Sequence, residues 1–116
     1  MKPDEIEQLF LTIAVKRSKL LKSDVKGANR EYDKLYRIKK ELRSLPDRGA
    51  ALLKRVAQYP DLAVQISALV MLLAVDETFA LDALKKIAAS ERGLHSFTAA
   101  MTIQEWNAGS IKDYLG

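Results

Sequence analysis

Apolar residues recur at helical spacing along almost the whole chain. In the first stretch they follow the 3, 4, 7 and 8 spacing of one helix face, at Ile6, Leu9, Phe10, Ile13, Ala14, Leu20 and Leu21. This spacing predicts an amphipathic helix that ends near Lys22. A second helix is predicted from Ala28 to Leu45, because the residue before Pro46 is pushed out of the helical region. No alternating β-branched run competes with these helices, so the pattern predicts an all-α protein.

Four further helices are predicted after Pro46. Their ranges are Arg48–Gln58, Leu62–Val75, Phe79–Ser90 and His95–Asn107. Aspartates in the intervening breaks, at positions 24, 47, 61 and 76, suit helix N-caps. The Leu62–Val75 helix is apolar on nearly every side, so we expect it to be the central helix, covered by its neighbours.

The second half of the chain contains an internal repeat. Ala51–Asp76 resembles Asp82–Asn107 at an offset of 31 residues, so that, for example, Leu53 falls on Leu84 and Ile66 on Phe97. Two helices per unit at a period of about 30 to 47 residues is typical of an α-solenoid.

This repeat predicts one domain over residues 1–116, a six-helix α-α superhelix. An N-terminal helical pair (1–46) would be followed by helical hairpins at 47–76 and 77–109. A tail (110–116) would either dock through Ile111, Tyr114 and Leu115 or fray.

Catalytic and metal chemistry find little support in the sequence. The chain has no cysteine and one histidine, His95, so thiolate nucleophiles and histidine clusters are excluded. The five glycines are isolated and form no phosphate loop. Helix capping accounts for the acidic residues Asp76, Glu77 and Asp82, with a weak cation site as the alternative. We therefore predict a protein that is not an enzyme and holds no metal or cofactor.

The setting predicted for the chain is the cytoplasm. The absence of cysteine fits a reducing compartment. Charged residues at the beginning of the sequence, Lys2, Asp4 and Glu5, do not resemble a signal peptide. The longest apolar run, Ala68–Val75, is too short to span a bilayer, so no contact with a membrane is expected.

Positive charge is concentrated in one part of the chain. The net charge is +4, but residues 16–48 contain twelve Lys or Arg against five Asp or Glu. Seven of these basic residues form the candidate binding face, which we call the basic face: Lys19, Lys22, Lys26, Arg30, Lys34, Arg37 and Lys40. Three interpretations fit it, namely a solvated helix surface with Tyr32 and Tyr36 facing the core, a site for an acidic protein partner, and a nucleic-acid site with the two tyrosines interleaved.

Trp106, near the end of the last predicted helix, has two interpretations. It would either plug the open end of the superhelix, since terminal repeats need capping, or serve as an exposed binding anchor.

A run of residues in the second predicted helix resembles a known family. It extends from Ala28 to Tyr36, continues at Glu41-Leu42 and Ala51–Leu53, and is followed by Tyr59–Asp61, Val64, Ala68–Leu73, Trp106 and Gly109. This pattern is similar to that of a small bacterial family described only as a domain of unknown function, number two thousand and nineteen. The resemblance implies an armadillo-like or HEAT-like α-superhelical fold and a bacterial, cytoplasmic setting. It implies no activity.

Two functional hypotheses follow. The first is a non-enzymatic protein-interaction module that uses the basic face against an acidic partner, for example as a scaffold or as an antidote that covers a toxin. The alternative is nucleic-acid binding through the same face of the first two helices. The oligomeric state is left open by the sequence.

Overall fold

A computed structural model describes residues 2–90 and 93–112 of the chain. These residues form seven helical segments and no strand: α1 (Pro3–Leu20), α2 (Val25–Arg37), α3 (Lys39–Arg43), α4 (Ala50–Val56), α5 (Leu62–Leu72), α6 (Glu77–Ala88) and α7 (Leu94–Asn107). The prediction of an all-α protein is confirmed. Only Ile38 separates α2 from α3, so these two segments together occupy the place of the single second helix that was expected.

The predicted second helix is interrupted at Ile38, where the sequence has neither proline nor glycine. Ile38 has φ −89° and ψ 2°, outside the usual helical values. Leu42 N nevertheless still donates to Ile38 O at 3.1 Å. Leu35, Ile38 and Leu42 are all buried, so the apolar face continues across the break.

The next helix begins later than predicted, at Ala50 instead of Arg48. Arg48 and Gly49 both have positive φ, 58° and 83°, a conformation that glycine adopts without cost and arginine does not. The Asp47 carboxylate accepts hydrogen bonds from Gly49 N at 3.0 Å and Ala51 N at 2.8 Å. Asp47 therefore stabilises the turn before α4 together with the first residues of the helix.

Helix α5 is the centre of the structure. It packs against α1, α4, α6 and α7, and nine of its eleven residues are buried. Each fully buried leucine or isoleucine in such a helix contributes about 1.5–3 kcal/mol relative to exposure. The prediction that this helix is central is confirmed.

Aspartates cap three of the helices as predicted. Asp24 accepts from Gly27 N at the start of α2. Asp61 accepts from Ala63 N and Val64 N at the start of α5, and Asp76 accepts from Phe79 N at the start of α6. These bonds satisfy amide groups that have no partner within the helix.

Helix α7 has apolar residues both on its buried side and on its exposed side. Ala99, Thr102 and Trp106 are buried, whereas Leu94, Phe97 and Met101 are 61%, 63% and 38% exposed. The repeat aligned Phe97 with Ile66, yet Ile66 is only 4% exposed. Equivalent positions in the two hairpins thus have different surroundings.

The short segment after α7 is described as far as Lys112. Ile111 is partly buried against the core. Tyr114 and Leu115, the other residues expected to dock, lie outside the described residues.

Candidate interaction surface

All seven residues of the basic face are exposed. Lys26, Arg30, Lys34 and Arg37 follow one another at intervals of four, four and three residues, so they lie along one side of α2. Lys19 is in the last turn of α1, Lys22 in the turn before α2, and Lys40 in α3. Helices α1 and α2 pack against each other, which brings the two parts of the basic face onto neighbouring elements.

Two members of the basic face are engaged by carboxylates. Lys34 Nζ lies 3.0 Å from Glu31 Oε1, and Arg30 Nη2 lies 4.0 Å from Asp24 Oδ2. The other five have no carboxylate within 4.0 Å among residues 2–90 and 93–112. In the described part of the chain, five of the seven cations are thus not paired with a carboxylate.

Glu31 is a buried carboxylate beneath the basic face. The residue is 4% exposed, and its Oε1 lies 3.1 Å from Lys16 Nζ as well as 3.0 Å from Lys34 Nζ. The hydrogen bond from Lys34, with the further bond and charge of Lys16, holds the pKa of Glu31 below its ordinary value, and burial opposes this. Lys34 thus has a structural role in addition to its place on the surface.

Arg17 joins α1 to α2 and to α5. Its Nη1 donates to Ser67 Oγ at 3.2 Å, and its guanidinium lies 4.7 Å from the centre of the Tyr32 ring, within cation–π range. Burial lowers the pKa of Arg17. Its Nε is buried, with no hydrogen-bond partner among the described residues. Tyr32 and Tyr36 meet edge to face at 4.8 Å and pack against the core.

Sequence reasoning missed the contacts that Arg17 and Glu31 make. The contact between Arg17 and Ser67 joins residues fifty positions apart, and no spacing along the chain indicates it. In the sequence, Glu31 is only one of the five acidic residues among the basic residues of 16–48. The one signal for it was the presence of lysine three residues later, a common helical pairing.

Two adjoining clefts lie beside the basic face, where the end of α1 meets the beginnings of α5 and α7. The larger has a volume of about 560 Å³ and is lined in part by Lys22, Leu62 and His95. The smaller, of about 100 Å³, is lined in part by Arg17 and Thr98. Leu21, Leu94 and His95 line both. Lys22 therefore connects the basic face to a partly apolar depression.

Trp106 is not an exposed anchor. The residue is 6% exposed, and its Nε1 donates to Glu77 Oε2 at 2.8 Å. Lys112 Nζ lies 5.2 Å from the centre of the indole ring. The interpretation of Trp106 as an exposed binding residue is therefore wrong, because the side chain belongs to the core between α6 and α7.

Asp76, considered above as part of a possible cation site, and the single histidine, His95, lie in different surroundings. Asp76 caps α6 and also lies 2.7 Å from Lys54 Nζ, whose hydrogen bond lowers the pKa of Asp76. His95 lines the clefts instead. Within residues 2–90 and 93–112 there is no group of three or more His, Cys, Asp or Glu that could hold a metal ion. None of the described helices is long and apolar enough to cross a membrane.

The fold and this surface define a class: an all-helical protein with an exposed basic face that continues into a partly apolar cleft. The sequence model of one family matches residues 4–107, and that family is described as a domain of unknown function, DUF2019. The chain belongs to this family, which confirms the family resemblance seen in the sequence. No curated protein and no solved structure matches the chain.

Proposed function

We propose that this chain is a protein-interaction module, not an enzyme, and that its basic face binds an acidic protein partner. The observation that carries the proposal is the exposure of all seven basic side chains, five of them without a carboxylate partner among the described residues. Charges left unpaired on a folded surface attract ligands of opposite sign and speed their association. A role as a scaffold or as an antidote that covers a toxin is consistent with such a surface.

We further propose that the helices form a short α-α superhelix of the armadillo or HEAT type. Displacing α4 and α5 by 31 residues places them at 81–87 and 93–103, which closely overlap α6 and α7. Helix α5 also packs against both helices of the following pair, as adjacent units do in a solenoid. A bacterial, cytoplasmic setting is part of the proposal and rests on the family resemblance and the cysteine-free composition.

Nucleic acid is the second candidate for the basic face. The row of four cations on α2 favours it, because Lys26, Arg30, Lys34 and Arg37 point to one side of a thirteen-residue helix and would follow a phosphate backbone. The aromatic residues give it less support. The Tyr32 ring has the Arg17 guanidinium over it and the Tyr36 ring perpendicular to it, so it is not an open platform for base stacking.

The proposal is tested with a charge-reversal pair matched in net charge. The first variant is Lys26→Glu/Arg37→Glu, which leaves Lys34 in place to hold Glu31. The control is Lys85→Glu/Lys86→Glu, on exposed positions of α6. With the partner captured from host lysate and then purified, we expect the first variant to weaken binding in calorimetry by about tenfold or more, and the control to bind almost as the wild type does.

The outcomes separate the candidates. Equal binding by wild type and Lys26→Glu/Arg37→Glu would exclude the basic face as the interface. Capture that is lost after nuclease treatment, with an affinity that falls steeply as salt rises, would put nucleic acid in place of the protein partner. A protein interface with an apolar centre depends much less on salt.

A further inference from the structure

The outward side of α7 presents an apolar stripe next to the two clefts. Leu94, Phe97 and Met101 are spaced by three and four residues, so they share one side of the helix. They are 61%, 63% and 38% exposed. Leu94 also forms part of the wall of both clefts, so the stripe and the depression make one continuous surface, which we call the α7 groove. Adjacent exposed apolar side chains of this kind mark interaction sites.

The charge at the edge of the α7 groove is positive. Lys22 and Arg17 contribute to its lining. Asp61 carries the only carboxylate among the described lining residues. Its oxygens already accept hydrogen bonds from Ala63 N, Val64 N and Ser18 Oγ. Lys22 is exposed, and no carboxylate of residues 2–90 and 93–112 lies within 4.0 Å of it, so none of these residues pairs with its charge.

We propose that the α7 groove binds an acidic amphipathic helix of the partner protein. The apolar side of that helix would lie on Leu94, Phe97 and Met101, and its carboxylates would face Lys22 and the neighbouring basic face. A helix laid into an apolar groove is a common mode of peptide recognition, with anchors at i, i+3, i+4 and i+7. This inference rests on the proposed function, since it specifies the acidic partner and extends its contact from α2 to α7.

Charge complementarity favours this occupant over a second copy of the chain. Leu94–Asn107 contains no Lys or Arg and a single carboxylate, Glu105, so the α7 stripe of a second copy has little acidic charge to offer Lys22. Two copies would also each carry a net charge of +4, which opposes their association.

The test uses two synthetic helical peptides of equal length. Both have leucines at i, i+3, i+4 and i+7; the polar positions are glutamate in one and lysine in the other. Titration into the full chain is followed by amide chemical shifts and by fluorescence anisotropy. We expect the glutamate peptide to bind and to shift the amides of Lys22 and of residues 94–101. The lysine peptide should bind at least about tenfold more weakly, a difference of about 1.4 kcal/mol.

Matched variants locate the binding surface. Leu94→Ser should weaken binding of the glutamate peptide by about tenfold, whereas Val25→Ser, at an apolar position that is 62% exposed against 61% for Leu94, should leave it unchanged. Lys22→Glu should weaken it as well, and Lys85→Glu should not. Because both serine substitutions are at exposed positions, neither should change the melting temperature much.

Several outcomes would overturn the inference. The inference is wrong if the glutamate peptide does not bind at concentrations up to about 1 mM, or if both peptides bind equally well. It is also wrong if Leu94→Ser and Val25→Ser weaken binding equally. Concentration-dependent dimerisation that Leu94→Ser abolishes would make a second copy the occupant instead. If the natural partner is lost on Lys26→Glu/Arg37→Glu but retained by Leu94→Ser, the proposed function stands and the α7 groove is not part of its site.

Discussion

Among single residues, Glu31 couples the exposed basic face to the core. Its side chain is 6% exposed, whereas those of its two partners, Lys16 and Lys34, are 62% and 47% exposed. A buried carboxylate costs free energy unless it is paired. Lys34, which belongs to the basic face, therefore also stabilises the packing of α2 on α1, together with Lys16 of α1. A charge reversal at Lys34 would for this reason change both binding and the stability of the fold.

The depressed pKa of Glu31 predicts a pH-dependent contribution to stability. A carboxyl group whose pKa is lower in the folded state stabilises the fold above its ordinary pKa of 4.5, and that contribution is lost as the pH falls through the folded-state value. Glu31→Gln should lower the free energy of unfolding by about 1 kcal/mol at pH 7, a modest loss since the lysines are exposed. The gap to the wild type should close below about pH 4.5.

Urea denaturation at pH 7 and pH 3 measures this difference, with Glu105→Gln at an exposed position as the control. A Glu31→Gln variant as stable as the wild type at pH 7 would show that the two lysines do not stabilise the carboxylate.

At the scale of elements, helix positions could be read from the sequence because their causes are local. The spacing of apolar residues and the caps Asp24, Asp61 and Asp76 are contained in short windows. The break at Ile38 and the late start of α4 could not be read in this way. Arg48 adopts its positive φ where its guanidinium reaches Ala74 O at 3.4 Å and Arg43 reaches Arg48 O at 3.3 Å. Ala74 is 26 residues away from Arg48, so this contact cannot be read from a short window of sequence.

The cap of the central helix gives a prediction at this scale. Asp61 accepts from Ala63 N and Val64 N and also from Ser18 Oγ of α1. Asp61→Ala removes all three bonds and should lower the free energy of unfolding by about 1–2 kcal/mol. Asp61→Asn keeps a side-chain oxygen, so its cost should be smaller, about 0.5 kcal/mol or less.

Urea unfolding followed by circular dichroism measures both Asp61 variants. Equal stability of Asp61→Ala and Asp61→Asn would mean that the side-chain oxygen does not cap α5.

At the scale of the whole molecule, the sequence indicates only one of the two parts of the candidate surface, the basic face. The basic face could be predicted, since seven basic residues recur in one part of the chain and all of them are exposed. The α7 groove could not, because three helices distant in sequence form it. Periodicity identifies which residues of α7 share a side. It does not show whether another helix covers that side. From the sequence alone, Phe97 and Met101 therefore resemble core residues.

The internal repeat gives a quantitative prediction, because two of its equivalent positions differ in burial. Ile66 and Phe97 are equivalent at the offset of 31, but they are 4% and 63% exposed. Ile66→Ala should leave a cavity beside α5 and cost about 2–5 kcal/mol. Phe97→Ala removes more atoms, yet it should change the free energy of unfolding by only about 0.5 kcal/mol or less, because the ring is mostly in water already.

Urea unfolding of the two variants, with helicity checked by circular dichroism, makes the comparison. A loss at Phe97 as large as that at Ile66 would mean that α7 is covered in the free protein, and the surface assigned to a partner would then be part of the protein's own core.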